Sequence, residues 1–273
     1  MLADYHVHTD YSDDSIYPME DVIKKAISLG IDELCFTEHV DYGVKPRTPF
    51  YLKGVMDSNT NCHYESYQAE FRYLKQKYAS DIALKFGIEF GVQTHTIPEF
   101  QEDFDTYDFD FVILSCHQVE DQEFYIQAFQ KGKSQQEFQT RYYEEILNVI
   151  KAYKGYSVLG HLDMINRYDQ YGDYPFEKIR DLVTEILKTA IADGKGIEVN
   201  TSNFRYGLKD LTPSRDILRL YKALGGRIIT IGSDSHKEEH LGHRIEEIKN
   251  ELKSIGFESF ATFDHMQPKF HPL

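Results

Sequence analysis

The sequence has no tryptophan, only three cysteines and a marked shortage of basic residues. It also has no apolar run near the roughly 18–20 residues that a membrane-crossing helix requires. No membrane partner is therefore expected. Cys35, Cys62 and Cys116 form no C-x-x-C pair and are odd in number, which argues against a disulfide framework and against a structural thiolate zinc site. Reduced thiols in a cytoplasmic protein are the plain expectation. Thirty Lys and Arg face forty-five Asp and Glu, a formal net charge of -15. A surface this acidic repels a phosphate backbone, so no nucleic-acid partner is expected, although a local basic pocket could overcome the global charge. The N-terminal Met-Leu-Ala-Asp-Tyr-His has neither a basic nor an apolar signal region, so no signal peptide is expected.

What is present suffices for a core. Apolar residues make up 41% of the 273, and Tyr and Phe supply the aromatic bulk. No linker, repeat or low-complexity segment divides the chain, and one domain over residues 1–273 is expected. Short apolar runs alternate with helical patterns. Strands are predicted at Leu2–Val7, Glu33–Thr37, Ile82–Phe90, Phe111–Ser115, Ser157–Leu159, Gly196–Asn200 and Arg227–Ile231. Helices are predicted from Pro18 to a Gly30 cap, and over His63–Lys77, Gln135–Tyr153, Phe176–Ala192, Ser214–Leu224 and Glu238–Ser254. An irregular stretch from Asp41 to Cys62, with Pro46, Pro49, Gly54 and Asn59, is long enough to suggest a lid. The alternation implies parallel βαβ units, closed as a barrel or open as a doubly wound sheet.

Position then matters more than composition. Nearly every predicted strand runs into a metal-ligand residue type: His6 and His8, Glu38 and His39, Glu89, His117, His161 and Asp163, Glu198 and Asn200, and Asp234 and His236. Parallel strands bring their C-terminal ends to one rim, where such folds keep their sites. In each of the pairs His6/His8 and Asp234/His236, the two residues are spaced to face one way along a strand. Histidines mixed with carboxylates suit Zn, Mn or Fe. The set exceeds one ion's needs, and two or three ions bridged by a carboxylate would use it.

Blander readings exist for single residues. A lone histidine after a strand is usually a loop or core residue, and Asp13 and Asp14 could simply cap the following helix. Cys116 beside His117 reads as a buried inert thiol. His63, His95, His240, His243, His265 and His271 read as surface residues. Six histidines at five strand ends, joined by Glu89 and Asp234, are harder to explain structurally.

These residues together, His6-Val7-His8-Thr9, Thr37-Glu38-His39, Glu89, His117, Gly160-His161 and Gly232-Ser233-Asp234-Ser235-His236, resemble the PHP (polymerase and histidinol phosphatase) superfamily. The resemblance runs from Asp4 to about His236. It implies a distorted TIM-like (β/α)7 barrel with parallel strands and a trinuclear metal centre at the C-terminal rim. It further implies one ion on His6, His8, Glu89 and Asp234, a second sharing Glu89 with His117 and His161, and a third on His39, His236 and either Asp14 or Asp13. Asp14 fits the spacing better.

The length, with the runs from His161 to Tyr168 and from Glu198 to Arg205, is similar to the stand-alone L-histidinol-phosphate phosphatases. That implies hydrolysis of a small phosphate monoester, L-histidinol phosphate, by a metal-bridging hydroxide. Nucleotides or short oligonucleotides are the alternative substrates. Arg167 and Arg205 follow strands five and six and suit a phosphate. Asp234 or His236 would pass a proton to the leaving group. A carboxylate of the Asp41–Cys62 stretch, or Glu120, would meet the substrate amine.

Overall fold

The first strand, β1 (Ala3–Val7), is buried at every position, as expected of a strand covered on both faces. Six more parallel strands follow it in a single sheet: β2 (Glu33–Val40), β3 (Ala83–Gly91), β4 (Phe111–Ser115), β5 (Val158–Leu159), β6 (Gly196–Asn200) and β7 (Ile229–Gly232). Their spatial order is their chain order. The sheet curls until its edges meet: Val7 bridges Ser235, and the His8 amide donates to the Ser235 carbonyl at 2.8 Å. The result is a nearly closed seven-stranded parallel barrel. The computed structural model describes residues 1–47, 53–56 and 58–273; Pro49, within the expected lid, lies outside the described residues.

A helix follows each strand: α1 (Met19–Ser28), α2 (Tyr64–Lys77), α3 (Ile97–Thr106), α4 (Gln135–Ala152), α5 (Arg180–Ala192), α6 (Arg215–Ala223) and α7 (Ile245–Ile255). Their starts follow local chemistry. Pro18 takes the N-cap of α1 with φ -62, and Met19, Val22, Ile23 and Ala26 turn inward at helical spacing. Ser134 and Glu137 close a reciprocal capping box on α4. Among the described residues, no helix is long and apolar enough to cross a membrane.

Several boundaries differ from the sequence reading. Strand β2 runs on to Val40, so Glu38 and His39 are strand residues rather than loop residues. The helix expected over Phe176–Ala192 breaks into a 3-10 turn (Phe176–Lys178) and α5. The last helix begins only at Ile245, because Gly242 and Arg244 hold left-handed conformations that cannot continue a helix. Helix α3 was not anticipated: its segment is rich in Glu, Asp and Gln, and only Phe100 and Asp103 are buried. A C-terminal hairpin, β8 (Ser259–Asp264) and β9 (Gln267–Pro272), was also missed. Its Phe263 packs on Phe111, the first residue of β4, with ring centroids 5.0 Å apart. The Phe263 amide donates to the Tyr5 hydroxyl at 2.8 Å, fixing the hairpin to β1.

Candidate metal centre

Strand register brings the first groups together. In the β2–β3 pair, His39 is the direct partner of Glu89, and neighbours in a parallel pair project to the same face. Glu89 is wholly buried, and five histidines converge on its carboxylate. His6 Nε2, His8 Nε2 and His39 Nδ1 lie 3.2, 3.5 and 3.0 Å from Oε2. His117 Nε2 and His161 Nε2 lie 3.2 and 2.9 Å from Oε1. Asp234 Oδ1 closes the first group, 3.8 Å from His6 Nε2 and 3.7 Å from His8 Nε2.

A third group sits at the rim. Asp14 Oδ2 is 3.1 Å from His236 Nε2 and 3.6 Å from His39 Nε2. Asp13, the alternative, points elsewhere and pairs with Lys45 at 2.7 Å. The structure therefore brings His6, His8, Asp14, His39, Glu89, His117, His161, Asp234 and His236 to one mouth of the barrel.

The donor atoms suit a cation. His6 Nε2, His8 Nε2, His39 Nδ1 and Glu89 Oε2 are buried side-chain atoms that make no hydrogen bond. Such atoms are costly unless something else satisfies them. His39 Nε2 and His236 Nε2 face each other at 3.3 Å. His8 stacks between His39 and His236, with centroids 4.1 Å from each. Among the described residues, groupings such as His6, His8 and Glu89, and Glu89, His117 and His161, have donor atoms close enough together for one ion. The residues present fit divalent metal ions.

Charge is arranged to match. Burial opposes the Glu89 charge, yet His6, His117 and His39 outweigh it and hold the carboxyl well below the carboxylate range. Asp234 is also held low against burial, by His6 and His236. Burial together with His236, His39 and His6 pushes His8 well below its ordinary value and leaves it neutral, the ligating form. Burial works against charge on His117 as well, but Asp41 and Glu89 raise it to about 9.

A second layer orients the ligands, and most of it was not assigned from sequence. Glu198 Oε1 meets His6 Nδ1 at 2.6 Å, and its Oε2 accepts from the His161 amide at 2.9 Å. Asp41 Oδ1 meets His117 Nδ1 at 2.7 Å, and Ser12 Oγ meets His8 Nδ1 at 3.0 Å. Ser12 in turn donates to Glu38, which burial raises to about 7. Partners on the far ring nitrogen fix tautomer and direction. Glycine makes the room: a Cβ at Gly91 would overlap Asp41, and one at Gly232 would overlap His6 and Glu198. Glu198 and Asn200 were visible as strand-end types, but Asp41 begins the irregular stretch, and nothing in the sequence marked it as a partner of His117.

Two ligands hold strained backbone. His161 has φ 21 and Asp234 has φ 55, in the left-handed region that side chains avoid. Arg205 clamps the second, donating from Nη1 to the Ser233 carbonyl and from Nη2 to the Asp234 carbonyl, both at 2.8 Å. The structure does not bring Arg205 to the wall of the cavity over the centre, whereas Arg167 is part of it. Arg167 Nη2 is 3.8 Å from Asp234 Oδ2, and its guanidinium lies 3.9 Å from the Tyr206 ring centroid. That cavity, about 560 Å³, is also lined by Lys45, Glu123, Tyr125 and Tyr168. Glu120 is not on its wall and pairs with Arg141 at 3.0 Å. Cys116 is buried and its thiol is pushed well up by burial, as an inert thiol should be.

Comparison with known proteins agrees with the geometry. The PHP domain family model matches residues 4–202. A histidinol-phosphatase of Lactococcus lactis subsp. lactis (strain IL1403) is 34% identical over 267 residues, 97% of this chain and 95% of that one. A Thermotoga maritima protein named "Probable histidinol-phosphatase" is 28% identical over 262 residues, 96% of this chain and 95% of its own length. Among solved structures, the histidinol phosphate phosphatase of Lactococcus lactis, complexed with zinc, L-histidinol and phosphate, superposes with a TM-score of 0.86. It is 31% identical, with 98% of each chain covered.

Proposed function

The chain belongs to the PHP domain family, and from that premise we propose that it is a metal-dependent histidinol-phosphatase spanning residues 1–273 as one unit. It hydrolyses L-histidinol phosphate, a small phosphate monoester, to L-histidinol and phosphate. The observation that carries this is Glu89, one buried carboxylate within 3.5 Å of five histidines. Such a carboxylate is otherwise costly, and it suits a bridge between cations. The likeness to a phosphatase of the same substrate over nearly the whole chain supports the substrate. Three buried cysteines, none in a disulfide, support a cytoplasmic setting.

The reading assigns three divalent ions, zinc, manganese or iron. His6, His8, Glu89 and Asp234 would hold one. Glu89, His117 and His161 would hold the next, and Asp14, His39 and His236 the third. When bound, such ions acidify water and withdraw charge from phosphoryl oxygens. The chain's own part is positioning and electrostatics. Glu198, Asp41 and Ser12 keep the ligating nitrogens of His6, His117 and His8 aimed at the centre. Arg167, stacked on Tyr206, donates to the phosphate from the cavity wall. Asp234 Oδ2, beside Asn200 Nδ2 at 3.3 Å, or the neighbouring His236 would take the proton that the attacking water releases and pass it to the departing alkoxide. Arg205 supports that step from behind by holding the Asp234 backbone.

The test is a phosphate-release screen of small monoesters on protein whose metal content has been measured. L-histidinol phosphate should be turned over fastest, ahead of a nucleoside monophosphate and a short single strand. Faster release from either of the latter would overturn the substrate assignment.

A further inference from the structure

The seam where the barrel closes is its least regular junction. Successive strands from β1 to β7 are joined by hydrogen-bonded ladders. Between β1 and β7, among the described residues, one bridge pairs Val7 with Ser235. There the His8 amide donates to the Ser235 carbonyl at 2.8 Å, and the Ser235 amide to the His6 carbonyl at 3.3 Å. Asp234 and His236 flank that bridge residue, so two ligands stand on the weakest edge of the sheet. Asp234 also holds φ 55, a conformation that persists only where the surroundings enforce it.

A buried carboxylate supplies what the ladder does not. Asp4, on β1, is wholly enclosed and is not on the wall of the cavity over the centre. Its Oδ1 accepts from the Ser233 amide at 2.8 Å and, more distantly, from the His6 amide at 3.4 Å. Its Oδ2 accepts from the Gly242 amide at 2.9 Å. Ser233 immediately precedes Asp234, and Gly242 lies in the turn before α7. One side chain thus ties down both ends of the segment that carries Asp234 and His236. Arg205 grips the same place from the other side, at the Ser233 and Asp234 carbonyls. The residue before the strained ligand is therefore held by its N–H through an anion and by its C=O through a cation. A buried carboxylate is costly to desolvate, and an apolar side chain in its place would leave the Ser233 and Gly242 amides without partners.

We infer that Asp4 is a positioning residue that closes the barrel seam and thereby sets Asp234 and His236 in the metal centre. That role presupposes the three-ion centre proposed above. Its consequence is selective. The ion on His6, His8, Glu89 and Asp234 takes a ligand from the seam segment, and so does the ion on Asp14, His39 and His236. The ion on Glu89, His117 and His161 takes none. Loss of the Asp4 anchors loosens the first and third ions and spares the second. A residue that merely supports the barrel would weaken all three alike.

The experiment compares zinc-loaded wild type with Asp4→Asn, which keeps the shape but offers one acceptor where two are used, and with Asp4→Ala, which offers none. Zinc occupancy is read site by site from anomalous scattering in crystals, and affinity in solution by competition with a chelator. The expected result is affinity at the first and third sites lowered on the order of tenfold to a hundredfold in Asp4→Asn, and further in Asp4→Ala, with the second site filled as in wild type. Any other pattern, equal loss at all three sites or full occupancy at all three included, would overturn the inference. Hydrogen exchange on the metal-free wild type tests the same anchors without a variant: slow exchange at the Ser233 and Gly242 amides is expected, and fast exchange at either would overturn the inference. Wild-type protein that takes up no zinc around Glu89 would overturn the functional reading and this inference with it. Three ions in wild type, all retained in both variants, would overturn the inference alone.

Discussion

Glu198 sits behind the centre, against the far nitrogen of His6 and the His161 amide, and its replacement by Gln should weaken metal binding. Both of its oxygens accept: Oε1 from His6 Nδ1 at 2.6 Å, and Oε2 from the His161 amide at 2.9 Å and Asn200 Nδ2 at 3.2 Å. Glutamine offers one acceptor where two are needed. Whichever way the amide turns, its NH2 faces a buried donor, and that donor loses its partner. An orphaned buried donor costs about 1–3 kcal/mol. Loss of the charge further weakens the bond that holds the His6 ring with Nε2 toward Glu89. Outer partners of metal-bound histidines typically change affinity or activity by about 10–100-fold. Competition titration against a chromophoric chelator should therefore show zinc affinity reduced by roughly tenfold to a hundredfold, with the far-ultraviolet dichroism unchanged. Wild-type metal affinity in Glu198→Gln would refute the claim that ligand orientation depends on this second layer.

The two arginines should separate. Arg167→Ala should lower kcat/KM for the phosphate ester on the order of tenfold to a hundredfold while metal content stays at the wild-type level. Arg205→Ala frees the strained Asp234 backbone and should lower bound metal as well, read by elemental analysis. Intact metal in Arg205→Ala would make the clamp dispensable. Protons and metal ions compete for the same imidazole nitrogens, and Asp41 and Glu89 raise the proton affinity of His117 to about 9 in the metal-free protein. Metal affinity should thus climb as pH rises toward that value, with proton release on loading seen by calorimetry in buffers of different ionisation enthalpy. A flat affinity between pH 6.5 and 9 would contradict it.

The sequence carried the ligands because strands impose a simple rule. A residue at the C-terminal end of a parallel strand arrives at one rim, so His6, His8, His117 and His161 could be gathered without coordinates. Glu89 and His39 followed for the same reason, and the register between β2 and β3 joins them. What failed to show has physical causes too. Asp41 belongs to a stretch without periodicity, and its bond to His117 spans 76 positions. Arg167 and Arg205 look alike in sequence, since each follows a strand. Only the path of the backbone turns one to the cavity and the other to the Ser233 and Asp234 carbonyls. The C-terminal hairpin, with Pro268 and Pro272, lacks the apolar alternation that marks a strand.

The central claim is that Glu89 is shared between metal ions, and the direct measurement is the metal-to-protein ratio of Glu89→Ala after exhaustive dialysis. The variant should lose more than one ion per chain relative to wild type while remaining folded. A folded Glu89→Ala protein that keeps its full complement, or gives up a single ion, would contradict it.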